Sequence, residues 1–283
     1  MVHTIKRTLK EYGRGIIGGL IFSLPLIYTM EVWWAGFIAP PGYLLSAILV
    51  TFLLLLGYNR YAGMRKDSTF WEVCWDSVEE IGLAFIVSFL FLLLIDRINF
   101  EMSLDEIAGK VIVESMIVAI GISIGTAQLG QNDDDDDDDS GMDGDSKEGE
   151  NAENGLIKTM ILSICGAVLF ASSVAPTEEI LMIAVEAQTA HLLLMVFLSL
   201  ILSSIILYFS DFKGSKTKDI GIKKMILHIS IGYVIALAVS FAFLLFFGRT
   251  DGNSFEIVLA QMIVLALPGT IGASAGRLLI DGK

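Results

Sequence analysis

The residues of this chain that could do chemistry are carboxylates set in apolar sequence. Glu31 follows Thr29 in one apolar run, and Glu178 and Glu179 follow Thr177 in another. Pro25 lies six residues before Glu31, and Pro176 lies just ahead of the glutamate pair. A proline removes a backbone donor and breaks or kinks a helix, which frees carbonyl oxygens. Freed carbonyls, threonine hydroxyls and carboxylates together make an oxygen-rich setting, and oxygen ligands suit hard cations or protons. If the runs cross a bilayer, each charge costs at least ~2.5–3.5 kcal/mol on insertion scales, which makes it a site hypothesis by default. Glu31, Glu178, Glu179, Thr29 and Thr177 are therefore the candidate ion- or proton-binding residues. The competing reading is structural: the carboxylates face water, or pair with Arg97 or Arg249 and lock helices together. Adjacent glutamates point about 100° apart on a helix, so only one of Glu178 and Glu179 need line a pathway, and the sequence match described below favours Glu179.

Glu114 is a further candidate, one turn beyond Lys110, where a local i, i+4 pair is the plainer explanation. Glu79 and Glu80 stand at the start of an apolar run and read as solvated. Gly121-Ile-Ser123-Ile-Gly125 and Gly272-Ala-Ser274-Ala-Gly276 have the spelling of a hydrolase nucleophile elbow. That motif needs a strand, a sharp turn and a histidine partner. Both strings lie in apolar helical sequence, and the histidines His3, His191 and His228 are not placed near either. Small residues four apart are better explained as faces that let helix backbones approach, and Gly15 and Gly19 give the first run the same face. Glu178-Glu179 is also similar to the Glu-Glu-x-x-x-Arg pattern of membrane-embedded CAAX-type proteases. Ile183 occupies the arginine position, however, and no phenylalanine-to-histidine motif follows. Zinc, phosphate-loop and dinucleotide fingerprints are absent from the sequence, so no cofactor is expected.

The elements that must position these residues follow from composition. The chain has 283 residues, 54% of them apolar and only 18% charged, with a mean hydropathy of +0.69. Soluble domains sit near ~45–50% apolar and ~25% charged, so the excess reads as membrane solvation. Eight stretches approach the roughly 20 apolar residues a membrane helix needs: 13–36, 42–59, 79–97, 107–129, 157–183, 188–209, 224–247 and 256–279. The expected fold is an all-α polytopic bundle of eight transmembrane helices. Two cysteines, Cys74 and Cys165, exclude a disulfide scaffold.

The net charge of −13 is local. Residues 131–155 hold 12 of the 32 acids and 1 of the 19 bases, including the unbroken run Asp133 to Asp139. With almost no apolar residue, that stretch reads as a disordered linker, and its acids lack the ligand spacing of an EF-hand. The chain as a whole has no basic footprint for nucleic acid. Lysine and arginine set membrane orientation. They cluster before the first stretch, after the second and sixth, and at the end of the chain. A multi-pass protein of the cell membrane with both termini and the acidic linker cytoplasmic satisfies that bias.

The two halves match in order. Gly18, Phe22, Thr29 and Glu31 align with Gly166, Phe170, Thr177 and Glu179; Val87 to Arg97 aligns with Val239 to Arg249; Gly121 to Gly125 aligns with Gly272 to Gly276. The offsets are 148, 152 and 151. The expectation is a 4+4 internal repeat: 1–130, the linker 131–155, and 156–283. Four spans per half put the pseudo-symmetry axis along the membrane normal, as in parallel repeats.

Leu24-Pro-Leu-Ile-Tyr-Thr29-Met-Glu31-Val-Trp33, together with Val174-Ala-Pro-Thr-Glu178-Glu179-Ile, resembles a family of integral membrane proteins of bacteria and archaea known as a domain of unknown function. The resemblance covers both halves but not the aspartate run. It implies an integral membrane protein and brings no catalytic residues with it. The leading functional expectation is a transporter or channel for a cation, a proton or a small solute, with a carboxylate site between the repeats. Proton coupling would require one of the carboxyls to be kept neutral by desolvation. The alternative is a non-transporting assembly or sensor protein whose acidic linker binds partners, and an intramembrane hydrolase comes third. The bilayer is the expected partner, and a homo-oligomer stays open.

Overall fold

In a computed structural model the protein is described over residues 2–62, 69–130, 151–211 and 222–278. Ten helices account for nearly all of it, and no strand occurs among the described residues. They are α1 (Val2–Ile27), α2 (Met30–Ile38), α3 (Pro41–Ala62), α4 (Phe70–Leu94), α5 (Leu104–Gly130), α6 (Asn151–Ser172), α7 (Glu179–Glu186), α8 (Thr189–Asp211), α9 (Ile222–Phe246) and α10 (Phe255–Leu278). Six of them, α3, α4, α5, α8, α9 and α10, are long and apolar enough to cross a membrane. α3, α4, α8 and α9 carry exposed apolar side chains such as Leu45, Trp71, Phe197 and Val234. A helix apolar all round is stable only inside a large core or in lipid.

The expected spans 13–36 and 157–183 are not single helices. The first divides between α1 and α2 at residues 28–29, α1 ending at Ile27 two residues past Pro25. The second divides between α6 and α7 across residues 173–178, which contain Pro176. The acidic run at 133–139 lies outside the described residues, and α6 begins at Asn151, inside the stretch expected as linker.

Helix ends follow local chemistry. α4 opens with a capping box: the Thr69 amide donates to Glu72 Oε2 at 2.7 Å, and Thr69 Oγ1 accepts from the Glu72 amide. α4 and α9 close alike. Asp96 and Gly248 adopt φ of 59° and 65°, and the next amides, of Arg97 and Arg249, each donate back to a carbonyl at 2.8 Å, of Leu92 and Leu244. Such a left-handed residue at the end of a helix satisfies its last carbonyls.

Two central pairs dominate the packing. α1 lies along α5, and α6 lies along α10. Both pairs approach through glycine. A Cβ on Gly18 would lie 2.7 Å from the Gly121 carbonyl oxygen and would also strike the Gly125 backbone. A Cβ on Gly276 would lie 2.5 Å from the Leu162 carbonyl oxygen, and Gly166 and Gly272 meet backbone to backbone. Gly15 and Gly19 rest on Ile122, Thr126 and Val118 of α5. The short helix α2 joins through Gly36, whose Cβ would lie 2.7 Å from the Gly109 carbonyl oxygen. α3 and α4 complete the cover of α5, and α8 and α9 complete that of α10. The two groups meet mainly where α3 and α5 face α6. There Cys165 lies beside the Leu54 carbonyl, and Gly57 leaves room for Ile161.

Candidate functional site

The two helix breaks are built around their own freed carbonyls. At the first, Thr29 Oγ1 donates to the Pro25 carbonyl at 2.6 Å, and Trp33 Nε1 donates to the Ile27 carbonyl at 2.9 Å. The Arg97 guanidinium lies 4.5 Å over the Trp33 ring, a cation–π contact that ties the end of α4 to α2. At the second, Thr177 Oγ1 donates to the Val174 carbonyl at 2.8 Å, Ser173 Oγ donates to the Phe170 carbonyl at 2.7 Å, and Arg249 donates to the Pro176 carbonyl. Each break is therefore held by a threonine of its own segment, and the arginine that ends α4 or α9 lies against each. The arginines pair with a ring and a carbonyl rather than with the glutamates.

The glutamates begin the helices that follow. Glu31 is in the first turn of α2; Glu178 is the N-cap of α7, and Glu179 is in its first turn. A carboxylate there is favoured by the positive end of the helix dipole. Glu31 and Glu178 line one cavity of about 690 Å³, with Trp34, Pro176, Arg249 and Asp251. Its walls come from α2, from the α6–α7 break and from the α9–α10 loop, so both groups of helices contribute. Glu179 is exposed and is not among its lining residues. Among the described residues none of the three glutamates is ion-paired, and no three His, Cys, Asp or Glu side chains converge as a metal cage. Chemically, the cavity offers three carboxylates and one guanidinium, with breaks whose carbonyls already have protein donors. Two or three separated carboxylates are enough to hold a proton or an ammonium, whereas hard divalent metals take six or more oxygens.

Glu114 takes a different place. It is fully buried in α5, and neither carboxylate oxygen has a hydrogen-bond partner. The local pair with Lys110 does not form. Lys110 Nζ binds Glu106 at 2.6 Å and donates to the Arg97 carbonyl at 3.2 Å. Gln261 does the same on the other side, donating to the Arg249 carbonyl at 3.3 Å.

A second polar cluster was not legible as one. Glu80 of α4, expected in water, is turned toward α3 and α5. Asn59 Nδ2 donates to Glu80 Oε2 at 2.8 Å and to Ser77 Oγ at 3.1 Å, and Ser123 Oγ donates to Asn59 Oδ1 at 2.6 Å. The signal available in the sequence was Ser123 itself, a polar residue in the centre of a glycine face. Its counterpart Ser274 shares a hydrogen bond with Ser203 at 2.8 Å. Both serines of the Gly-x-Ser-x-Gly strings are buried and bound to α3 and α8, with amide and hydroxyl partners rather than histidine.

No curated protein and no solved structure matches the chain. The all-helical architecture, the six lipid-length helices and the match over residues 11–280 agree: the chain belongs to the family described as putative integral membrane protein (DUF2391).

Proposed function

We propose that the protein moves a proton, a small cation or a small cationic solute across the membrane, through the cavity that Glu31 and Glu178 line. The observation that carries this reading is that two carboxylates from separate halves of the chain line one cavity at broken helices. Discontinuous helices at a repeat interface are where many transporters bind their cargo. Thr29 and Thr177 hold the breaks through the Pro25 and Val174 carbonyls, and Glu114 is a further buried carboxyl of the first half, outside that cavity.

The proposal includes the duplication, with repeats at about 1–130 and 156–283, a soluble acidic connection at 131–155 and both termini cytoplasmic. Three correspondences support it. The glycine contacts of Gly18 and Gly166 recur at an offset of 148, the left-handed turns at Asp96 and Gly248 recur at 152, and Lys110 and Gln261 reach equivalent carbonyls at 151. The structural alternative draws on the glutamates' places at helix starts, where the dipole alone favours them. Flux through proteoliposomes separates the two. Glu31→Gln and Glu178→Gln should each reduce flux at least tenfold, while Glu179→Gln leaves it near wild type. Equal flux in all three, with lowered thermal stability, would assign the carboxylates to helix capping.

A further inference from the structure

Beneath the carboxylate cavity lies a second, apolar one of about 510 Å³, between α3 and α5 on one side and α6 and α9 on the other. The two cavities share Tyr43, Leu245 and Phe246 in their walls, so they adjoin. Along α3 the apolar walls run from Tyr43 to Leu54, eleven residues or about 16 Å at 1.5 Å per residue. That is roughly half of a ~30 Å hydrocarbon core, the depth of one leaflet. Within the groove the Thr51 hydroxyl is buried and has no hydrogen-bond partner, not even the carbonyl one turn back that a helical threonine commonly uses. The upper cavity carries both signs of charge, with Arg249 lining it together with Glu31, Glu178 and Asp251.

We propose that the joined cavities bind one membrane phospholipid with a zwitterionic, primary-amine head. One acyl chain fills the groove between the halves. The phosphate meets Arg249, and the ammonium meets Glu31 and Glu178. This rests on the reading of the upper cavity as a cation site and names the cation as an ammonium carried on a lipid. An anionic head without an amine leaves the carboxylates unpaired, and a quaternary head cannot donate hydrogen bonds to them. Both volumes fall within the ~300–1,000 Å³ of ordinary ligand sites.

The test is native mass spectrometry of the full-length protein, released from vesicles of equal parts phosphatidylethanolamine, phosphatidylglycerol and phosphatidylcholine. Wild type should retain one phosphatidylethanolamine at least fivefold over either competitor. Ala238→Trp and Ala242→Trp, at exposed groove positions, should cut retention of all three lipids. Glu31→Gln with Glu178→Gln should abolish the preference for the amine lipid while leaving total retention. These head variants keep the test valid if the groove variants do not fold. Equal retention of the three lipids by wild type, or a preference unchanged in the glutamine variants, would overturn the proposal. Loss of ion flux in the glutamine variants with lipid preference intact would refute the lipid and leave the ion reading standing. Loss of lipid preference with flux intact would do the reverse.

Discussion

Glu114 and Leu265 occupy matching places on α5 and α10 at the offset of 151. Both are fully buried, yet Glu114 has two unpartnered oxygens and Leu265 has none to satisfy. Leaving a buried polar group without a hydrogen bond costs about 1–3 kcal/mol by protein mutational data. Glu114→Leu should therefore raise stability by about that amount in detergent, read from unfolding midpoints; a loss would mean the carboxyl has a stabilising partner. Asp96 poses a similar comparison. It holds a left-handed conformation that Gly248 holds at the equivalent turn, and such a conformation costs a non-glycine residue about 1 kcal/mol. Asp96→Gly should stabilise by up to that amount, with Arg97 kept over Trp33, and a destabilised variant would show that the aspartate side chain supports the turn.

At the scale of elements, the central helix pairs depend on glycines that leave no room for a Cβ. Overpacking a close contact costs about 1–3 kcal/mol, so Gly18→Val and Gly166→Val should each lower the unfolding midpoint. Gly82 meets nothing within 4 Å, and Gly82→Ala should instead gain up to about 1 kcal/mol from helix propensity. Equal effects at all three positions would contradict the packing described. Much of this was legible beforehand because the signals are local. Glycines four apart and a proline ahead of a carboxylate each act within one or two turns. What sequence could not supply was the choice among partners across helices. Lys110 lies one turn from both Glu106 and Glu114, and only the packed position of the Arg97 carbonyl decides for Glu106. Glu80 reads as a surface acid until Asn59 of α3 and Ser123 of α5 are brought to it. The repeat match favours Glu179 over its neighbour, whereas the cavity is lined by Glu178, the residue that caps the start of α7.

At the scale of the molecule, apolar composition becomes six lipid-length helices and two broken ones, arranged so that the breaks share a charged cavity. The chain's net acidity is concentrated in another stretch of the sequence, where 12 of the 32 acids lie in residues 131–155. Removing Asp133 to Asp139 should leave flux and stability unchanged, and lost function at equal expression would instead favour a partner-binding role for that run. The most direct test of the central claim is flux by the double variant Glu31→Gln/Glu178→Gln, reconstituted at wild-type density and screened for protons, monovalent cations and small amines. The cavity reading predicts that whichever flux wild type supports falls at least tenfold in the double variant with its fold intact. An unchanged flux would contradict it.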